Sequence, residues 1–484
     1  MSRYNMTLLT DLYELTMMQG YFKDNTNERV VFDVFYRKNP SGSAYAVAAG
    51  LEQVIEYIKG LDFEDEDIAY LESTGLFEHD FLDYLKAFKF TGDIYAIPEG
   101  TVIFPKEPVL KVVAPIMEAQ LVETAILNII NHQSLIATKA SRVVYAAGGG
   151  VMEFGLRRAQ GPDAGVYGAR AAVIGGCVGT SNVLAGKMFD IPVKGTHAHS
   201  WIMSFETELE AFRTYAKLYP DNCLLLVDTY DTLKSGVPHA IQVFDEMKAS
   251  GICPAVYGIR LDSGDLAYLT KKARKMLDAA GHKDAIISAS SDLDEYVIES
   301  LRAQGAKITS WGVGTNMITS ADCPAFGGVY KLAAIEDEDG HFIPKIKVSE
   351  NVEKATNPGN KTVFRLYDKE NGKIKADLIA LADEKYSADE ALMIFDPIAT
   401  WKKTTLEAGS YTVRELLVPV FTAGECVYES PSVMEIRDYC FKELDTLWDE
   451  SRRFVNPQEV FVDLSEPLWK LKHDLLDGVH NFKG

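Results

Sequence analysis

The chain has 484 residues, too many for one ordinary domain, and 47% of them are apolar, enough for the cores of two or three. Acidic residues outnumber basic ones 70 to 49, a formal charge of −21, which disfavours nucleic acid or an anionic membrane as the main partner because both need a basic footprint. No apolar run is long enough to span a membrane, the opening Met1-Ser2-Arg3-Tyr4-Asn5 lacks the apolar core of a signal peptide, and six scattered cysteines contain no Cys-x-x-Cys pair. A cytoplasmic protein with reduced thiols is expected; spacing alone leaves open whether Cys426 and Cys440 meet.

In the first part of the chain, Val30 to Tyr36 reads as a strand, being rich in β-branched and aromatic residues. Gly50 to Ile58 reads as a helix with Leu51, Val54, Ile55 and Ile58 on one face, and Pro115 to Ala137 as a single longer helix. From about residue 142 the texture changes. Apolar runs recur at Val151–Phe154, Ala171–Ile174, Pro192–Val193, Leu224–Val227, Ala255–Ile259, Ile286–Ile287 and Ile308–Val313. Helical patterns separate most of them, at Glu206–Leu218, Val237–Ala249, Ala267–Ala280 and Leu293–Gln304. Strands alternating with helices imply parallel β/α units, and about seven in one block fit an irregular barrel better than an open sheet. After Ile335 the alternation stops. Phe364–Tyr367 and Ile374–Ile379 flank Glu370-Asn371-Gly372 as a hairpin, and helical patterns follow at Val433–Phe454 and Ser465–Leu476. The expectation is an α/β protein in three parts: an N-terminal α/β domain at 1–141, a β/α barrel at 142–335, and a C-terminal region at 336–484 packing on the first.

Catalytic groups of β/α barrels come from the carboxyl ends of different strands. Those positions here carry Glu153-Phe154-Gly155-Leu156-Arg157-Arg158, then Gly195-Thr196-His197-Ala198-His199-Ser200, Asp228-Thr229-Tyr230-Asp231, Arg260-Leu261-Asp262-Ser263-Gly264-Asp265, Ser290-Ser291-Asp292 and Gly312-Val313-Gly314-Thr315-Asn316. Taken singly, Asp-Ser-Gly and Ser-Ser-Asp read equally well as helix N-caps, Gly-x-Gly as a plain turn, and Arg157-Arg158 as a solvated pair. Their recurrence at one end of successive strands points to chemistry. Backbone amides near Gly312 and Gly314, with Thr315, suit a phosphate. Asp228, Asp231, Asp262 and Asp265 suit ribose hydroxyls or a hydrated Mg²⁺, and Arg157 and Arg260 suit carboxylate or diphosphate oxygens. Histidine takes up a proton or a phosphoryl group near neutral pH.

The run from Phe154 to Asp163, the run Gly179-Thr180-Ser181-Asn182-Val183-Leu184-Ala185-Gly186 and the element Gly195 to Ser200 together resemble the nicotinate phosphoribosyltransferase family. So do Thr10 to Met17, Phe35 to Pro40, Arg260 to Asp265 and the Gly312–Asn316 loop, in order along the chain. The resemblance implies transfer of a phosphoribosyl group from 5-phosphoribosyl 1-diphosphate to nicotinate, with Mg²⁺, coupled to ATP hydrolysis through a phosphohistidine. It implies His199 as the phosphorylated residue and leaves His197 as a loop residue without a required role. Phe154 and Tyr13 are implied to sandwich the pyridine ring, the tyrosine coming from the partner subunit of a homodimer. Arg260 and Thr196 are implied nicotinate contacts, with Arg157 a further cation near the ring. Asp228 and Asp262 are implied in ribose, Mg²⁺ or histidine-orienting roles, and Gly312, Gly314 and Thr315 in holding the 5-phosphate; no Mg²⁺ ligand set is assigned.

Ser181 occupies the position where the related nicotinamide enzymes place an aspartate. A carboxylate there would accept from an amide and repel an acid, so a neutral Ser181 favours nicotinate. The nicotinamide phosphoribosyltransferases are the nearest alternative. A quinolinate enzyme would call for extra cations, and a sensor that only binds a phosphorylated metabolite has no need of His199 among carboxylates.

Overall fold

The apolar run near residue 30 forms the strand Arg29–Tyr36 in the computed structural model, which describes residues 5–348 and 355–481. Val30 to Val34 are all buried, because both faces of this strand are covered rather than one. Gly328–Glu336 pairs antiparallel on one side and Leu110–Pro115 on the other, within a seven-stranded sheet. The chain divides into two compact units, one of residues 1–135, 325–431 and 438–484 and one of residues 136–324 and 432–437.

In the first unit, helix Leu51–Lys59 forms on the expected face, with Leu51, Val54, Ile55 and Ile58 buried. The single helix read at 115–137 is instead two, Ile116–Leu121 and Glu123–Ala147. The expected hairpin forms as Lys361–Asp368 against Ile374–Leu381, in a four-stranded sheet with Tyr411–Glu415 and Phe461–Leu464. Arg365 and Asp377 are direct cross-strand partners, and their side chains form a two-pronged ion pair at 2.8 and 2.6 Å. Glu443 reaches the same guanidinium at 3.2 Å and Arg414 at 2.7 Å, so one carboxylate separates two arginines on adjacent strands. Glu107 is also sealed in this region, and burial beside Asp377 holds its carboxyl well above the usual carboxylate range.

The second unit carries a five-stranded parallel sheet in the order Val151–Glu153, Ser310–Val313, Ile286–Ala289, Val256–Leu261, Asn222–Leu226. Helices Glu208–Leu218, Val237–Ala249, Leu266–Ala279 and Glu295–Ala303 alternate with the strands. Among the described residues, backbone pairing extends past Glu153 only as isolated parallel bridges, Glu153 to Thr180 and Thr180 to Val193. The apolar run Ala171–Ile174 is not a strand. It is the last turn of helix Pro162–Ile174, buried from Gly165 onward, and a short apolar run cannot distinguish a buried strand from a buried helix turn. Lys139 and Arg142 both pair with buried Glu295, and Lys139 also with Asp322.

No described helix is long and apolar enough to cross a membrane, and no disulfide forms among the described residues.

Candidate active site

The carboxyl ends of the parallel strands in the second unit converge on Arg260. Its position at the end of Val256–Leu261 sets its guanidinium among three partners: Nε donates to Ser290 Oγ at 2.9 Å, Nη1 to Thr196 Oγ1 at 2.9 Å, and Nη2 to Asp262 Oδ1 at 3.1 Å. Ser290 also donates to Asp262 Oδ1. The guanidinium carbon lies 5.8 Å from the centre of the Phe154 ring, within reach of its face. An aromatic surface and a planar cation thus meet at one place, half-buried.

Gly312 makes room for that ring. A Cβ on Gly312 would lie 2.6 Å from two Phe154 ring carbons, so any side chain would displace the ring. Gly314 passes close to the Phe154 carbonyl and accepts from Met317 and Ile318 at the start of the short helix Thr315–Ile318. Thr315 is half-buried beside it.

Glu153, buried at the preceding position, fastens two strand ends together. One carboxylate oxygen accepts from Gly155 N–H, the other from Thr180 Oγ1 at 2.5 Å, and burial raises the group's pKa. Ser181 N–H donates to the Glu153 carbonyl at 2.9 Å, which seats the half-buried serine beside the same strand end as Phe154. Arg157 and Arg158 follow in an exposed turn, Leu156–Arg158.

Asp228 organises the next strand end. Its Oδ2 accepts from Asp262 N–H and from Ser263 Oγ, both at 2.7 Å. Its Oδ1 is buried and has no hydrogen-bond partner among the described residues. The other two aspartates of these clusters are helix caps: Asp265 accepts from Tyr268 N–H, and Asp231 from Leu233 and Lys234 N–H. The capping reading therefore describes Asp231 and Asp265, and the site retains Asp228 and Asp262.

His199 opens the short helix His199–Met203. Its Nδ1 is 3.0 Å from Thr229 Oγ1, and its Nε2 faces Asp262 Oδ2 at 3.9 Å. Roughly a third of the side-chain surface of both His199 and Asp262 is exposed, enough for a reactant to reach them. Sequence reasoning placed His197 in the loop without a role, but the structure buries it at 8% exposure, with Nε2 accepting from Leu226 N–H at 3.3 Å. Thr229, Ser290 and Glu153 were present in the strand-end clusters but were not singled out, since a serine or threonine after a strand reads first as a cap.

Ser291 adds a sign of constraint, with a φ of 102° that a non-glycine residue adopts only at a cost of about 1–3 kcal/mol. Tyr13 belongs to the first unit, on helix Leu12–Asp24. It is 46% exposed, and partial burial with Glu123 and Glu14 nearby pushes its phenol upward.

A parallel β/α sheet with its polar groups gathered at the strand carboxyl ends defines an α/β enzyme. Three family models match successive stretches of the chain: the nicotinate phosphoribosyltransferase N-terminal domain at residues 8–131, the family proper at 150–365, and the C-terminal domain at 360–472. The nicotinate phosphoribosyltransferase of Bacillus subtilis (strain 168) is 47% identical over 481 residues, covering 99% of this chain and 96% of its own. The crystal structure of the human nicotinic acid phosphoribosyltransferase superposes with a TM-score of 0.83 at 30% identity, covering 97% of this chain and 100% of that one. A nicotinate-nucleotide pyrophosphorylase from Pyrococcus furiosus shares the fold, with a TM-score of 0.70 at 24% identity over 92% of this chain and 99% of that one. The chain belongs to the nicotinate phosphoribosyltransferase family.

Proposed function

We propose that the chain transfers the phosphoribosyl group of 5-phosphoribosyl 1-diphosphate to nicotinate, forming nicotinate mononucleotide and diphosphate for NAD biosynthesis, with ATP hydrolysis coupled through His199. The observation that carries this reading is the Arg260 guanidinium set beside the face of Phe154. A pyridine carboxylate laid on that ring puts its charge next to a cation whose fork is already oriented by Thr196, Ser290 and Asp262. The pyridine nitrogen attacks C1 of the ribose, a C–N bond forms, and the C1–O bond breaks with its electron pair leaving on diphosphate. Arg157 is a further cation for the negative groups, and Gly314 and Thr315, with the Gly312 backbone, take the 5-phosphate.

ATP coupling assigns His199 Nε2 as the nucleophile, because Nδ1 is engaged with Thr229. Nε2 attacks the γ-phosphorus, an N–P bond forms, and ADP leaves with the electrons of the broken P–O bond; water later takes the phosphoryl group. Asp262 faces the same nitrogen and suits an orienting role.

The residues present fit Mg²⁺. Asp228 and Asp262 offer hard oxygen donors, including the unpartnered Asp228 Oδ1, and a pair of carboxylates matches an ion that keeps several waters. Bound there, the ion would offset charge on the diphosphate. Among the described residues the one compact three-ligand cluster, Asp337, Asp339 and His341, is exposed and belongs to the other unit.

The same reading includes a cytoplasmic homodimer in which Tyr13 of the partner subunit covers the second face of the pyridine. It also includes closure of the parallel strands into a seven-membered barrel, supported by the bridges at Thr180 and Val193.

The direct test supplies nicotinate, nicotinamide or quinolinate with phosphoribosyl diphosphate, with and without ATP, and measures mononucleotide. Product from nicotinate, increased by ATP, is expected; equal or faster use of nicotinamide would overturn the reading. Ser181→Asp should lower nicotinate use relative to nicotinamide, and an unchanged ratio would remove Ser181 as the discriminating residue.

A further inference from the structure

We propose that His197 is a positioning residue that joins the two edges of the parallel sheet and thereby sets the register in which Thr196 and His199 reach the site. The inference rests on the proposed function for what those two residues then do.

Among the described residues, the strand Asn222–Leu226 lies at one edge of the sheet and pairs only with Val256–Leu261. Val227 N–H donates toward that neighbour, to the Arg260 carbonyl at 3.1 Å. Successive backbone donors alternate in direction along an extended strand, so Leu226 N–H points off the open edge. There it would be a buried donor without an acceptor, which folded proteins avoid. Its partner is an imidazole nitrogen, His197 Nε2.

The segment that supplies this imidazole comes from the opposite edge. Past Glu153, Thr180 bridges to Val193, and Lys194 N–H donates to the Thr180 carbonyl at 2.8 Å. Three residues later His197 receives Leu226 N–H. One short stretch thus touches both edges, by backbone at one and by a side chain at the other. A strand closing the gap would use a carbonyl oxygen. Because the ring nitrogen substitutes for it, the backbone from 195 to 198 is left out of the ladder and can present Thr196 and His199.

The seat of the ring fits a fixed link. The imidazole meets Tyr215 edge-on, with centroids 4.6 Å apart, and lies 6.3 Å from Phe212, both on helix Glu208–Leu218. Accepting at Nε2 requires a neutral ring with its proton on Nδ1, a buried atom without a hydrogen-bond partner among the described residues, so the ring is held by Nε2 and by its packing. Burial, with Arg260 and His199 nearby, pushes the pKa down to about 4. One residue before the link, Thr196 accepts from Arg260; two residues after it, His199 meets Thr229, three residues beyond Leu226. The pinned pair 197–226 therefore keeps both functional contacts in step.

The test compares His197→Phe, which keeps an aromatic ring in the seat but has no acceptor, with His197→Gln, whose side-chain oxygen can take the Leu226 N–H. Three readouts are used: amide exchange at Leu226 by mass spectrometry, KM for nicotinate against KM for phosphoribosyl diphosphate, and phosphate incorporated at His199 from ATP. In His197→Phe, Leu226 exchange should speed at least about tenfold. Nicotinate KM should rise and His199 phosphorylation fall by a similar factor, while KM for phosphoribosyl diphosphate stays within about twofold. His197→Gln should restore all three most of the way. Wild-type values in His197→Phe, or equal loss in both variants with a matching loss of melting temperature, would overturn the proposal. If the wild-type chain neither uses nicotinate nor carries phosphohistidine, the functional reading fails, and the Leu226 exchange rates still decide whether His197 makes the link.

Discussion

Each unit of the molecule has an arginine–aspartate pair, across two strands in the first and two residues apart at a strand end in the second, and the two behave as opposites. Arg365 and Asp377 in the first unit are fully buried, and Glu443 occupies the remaining side of the guanidinium. Arg260 and Asp262 in the second unit lie at a strand's carboxyl end, with Asp262 a third exposed and its second oxygen turned toward His199. A sealed pair spends its hydrogen-bonding capacity on itself, whereas an open pair is oriented by neutral hydroxyls and keeps capacity for a reactant. Burial and the identity of the third partner separate structure from chemistry here, since residue type does not.

The largest effect should come from breaking the sealed pair. Arg365→Ala leaves Asp377 buried without its cation while Glu443 keeps Arg414, and a loss of about 3–5 kcal/mol in urea unfolding is expected, with activity per folded molecule retained. Arg260→Gln should reverse that profile. Unfolding free energy should change by no more than about 1 kcal/mol, while kcat/KM for nicotinate falls about a hundredfold, close to 2.7 kcal/mol of transition-state stabilisation. Equal destabilisation in the two variants would erase the distinction between the networks.

Gly312→Ala sharpens the comparison at intermediate size. The added methyl meets the Phe154 ring, so about 1–3 kcal/mol of overpacking is expected, together with a raised nicotinate KM. A variant with unchanged KM would free Phe154 from the ring-stacking role.

The smallest effect concerns a sealed carboxyl that has no cation. Glu14 accepts from Thr10 and Thr124, but burial raises its pKa from 4.5 to about 7. Its folded form therefore favours the proton: the associated stability is complete below about pH 4.5 and is lost as pH rises through about 7. Glu14→Gln should melt higher than wild type above pH 7, by something on the order of 1 kcal/mol, and show no advantage at pH 4.5. A pH-independent difference between the two proteins would contradict the raised pKa.

Much of the architecture was legible because periodic burial leaves a mark on sequence. Val237–Ala249 formed with the expected bounds, with Pro238 in its first turn. Ala171–Ile174 was misread because a fully buried helix turn carries no polar face to reveal its period. The alternation of about seven runs, read as a barrel, goes further than the ladders, which join five parallel strands among the described residues and continue past Glu153 as isolated bridges at Thr180 and Val193. At the site, strand ends pointed to His199, Asp228 and Asp262. Strand-end chemistry alone does not separate Asp262 from Asp265, three residues apart in one motif, and it is the family resemblance that singles out Asp262: the second caps a helix and the first faces the histidine. Thr229, Ser290 and Glu153 act by what they hold in the folded chain, and a residue's spatial partner leaves no mark on its local sequence.

The close approach of Gly312 to Phe154 makes these two positions a lock that opens from one side only. A bulkier residue at 312 is barred while the phenyl ring stands, yet shrinking residue 154 first empties a niche that residue 312 could then fill from beneath. Paired exchange, such as Phe154→Leu with Gly312→Val, offers a route to altered ring selectivity, reached in that order and not the reverse.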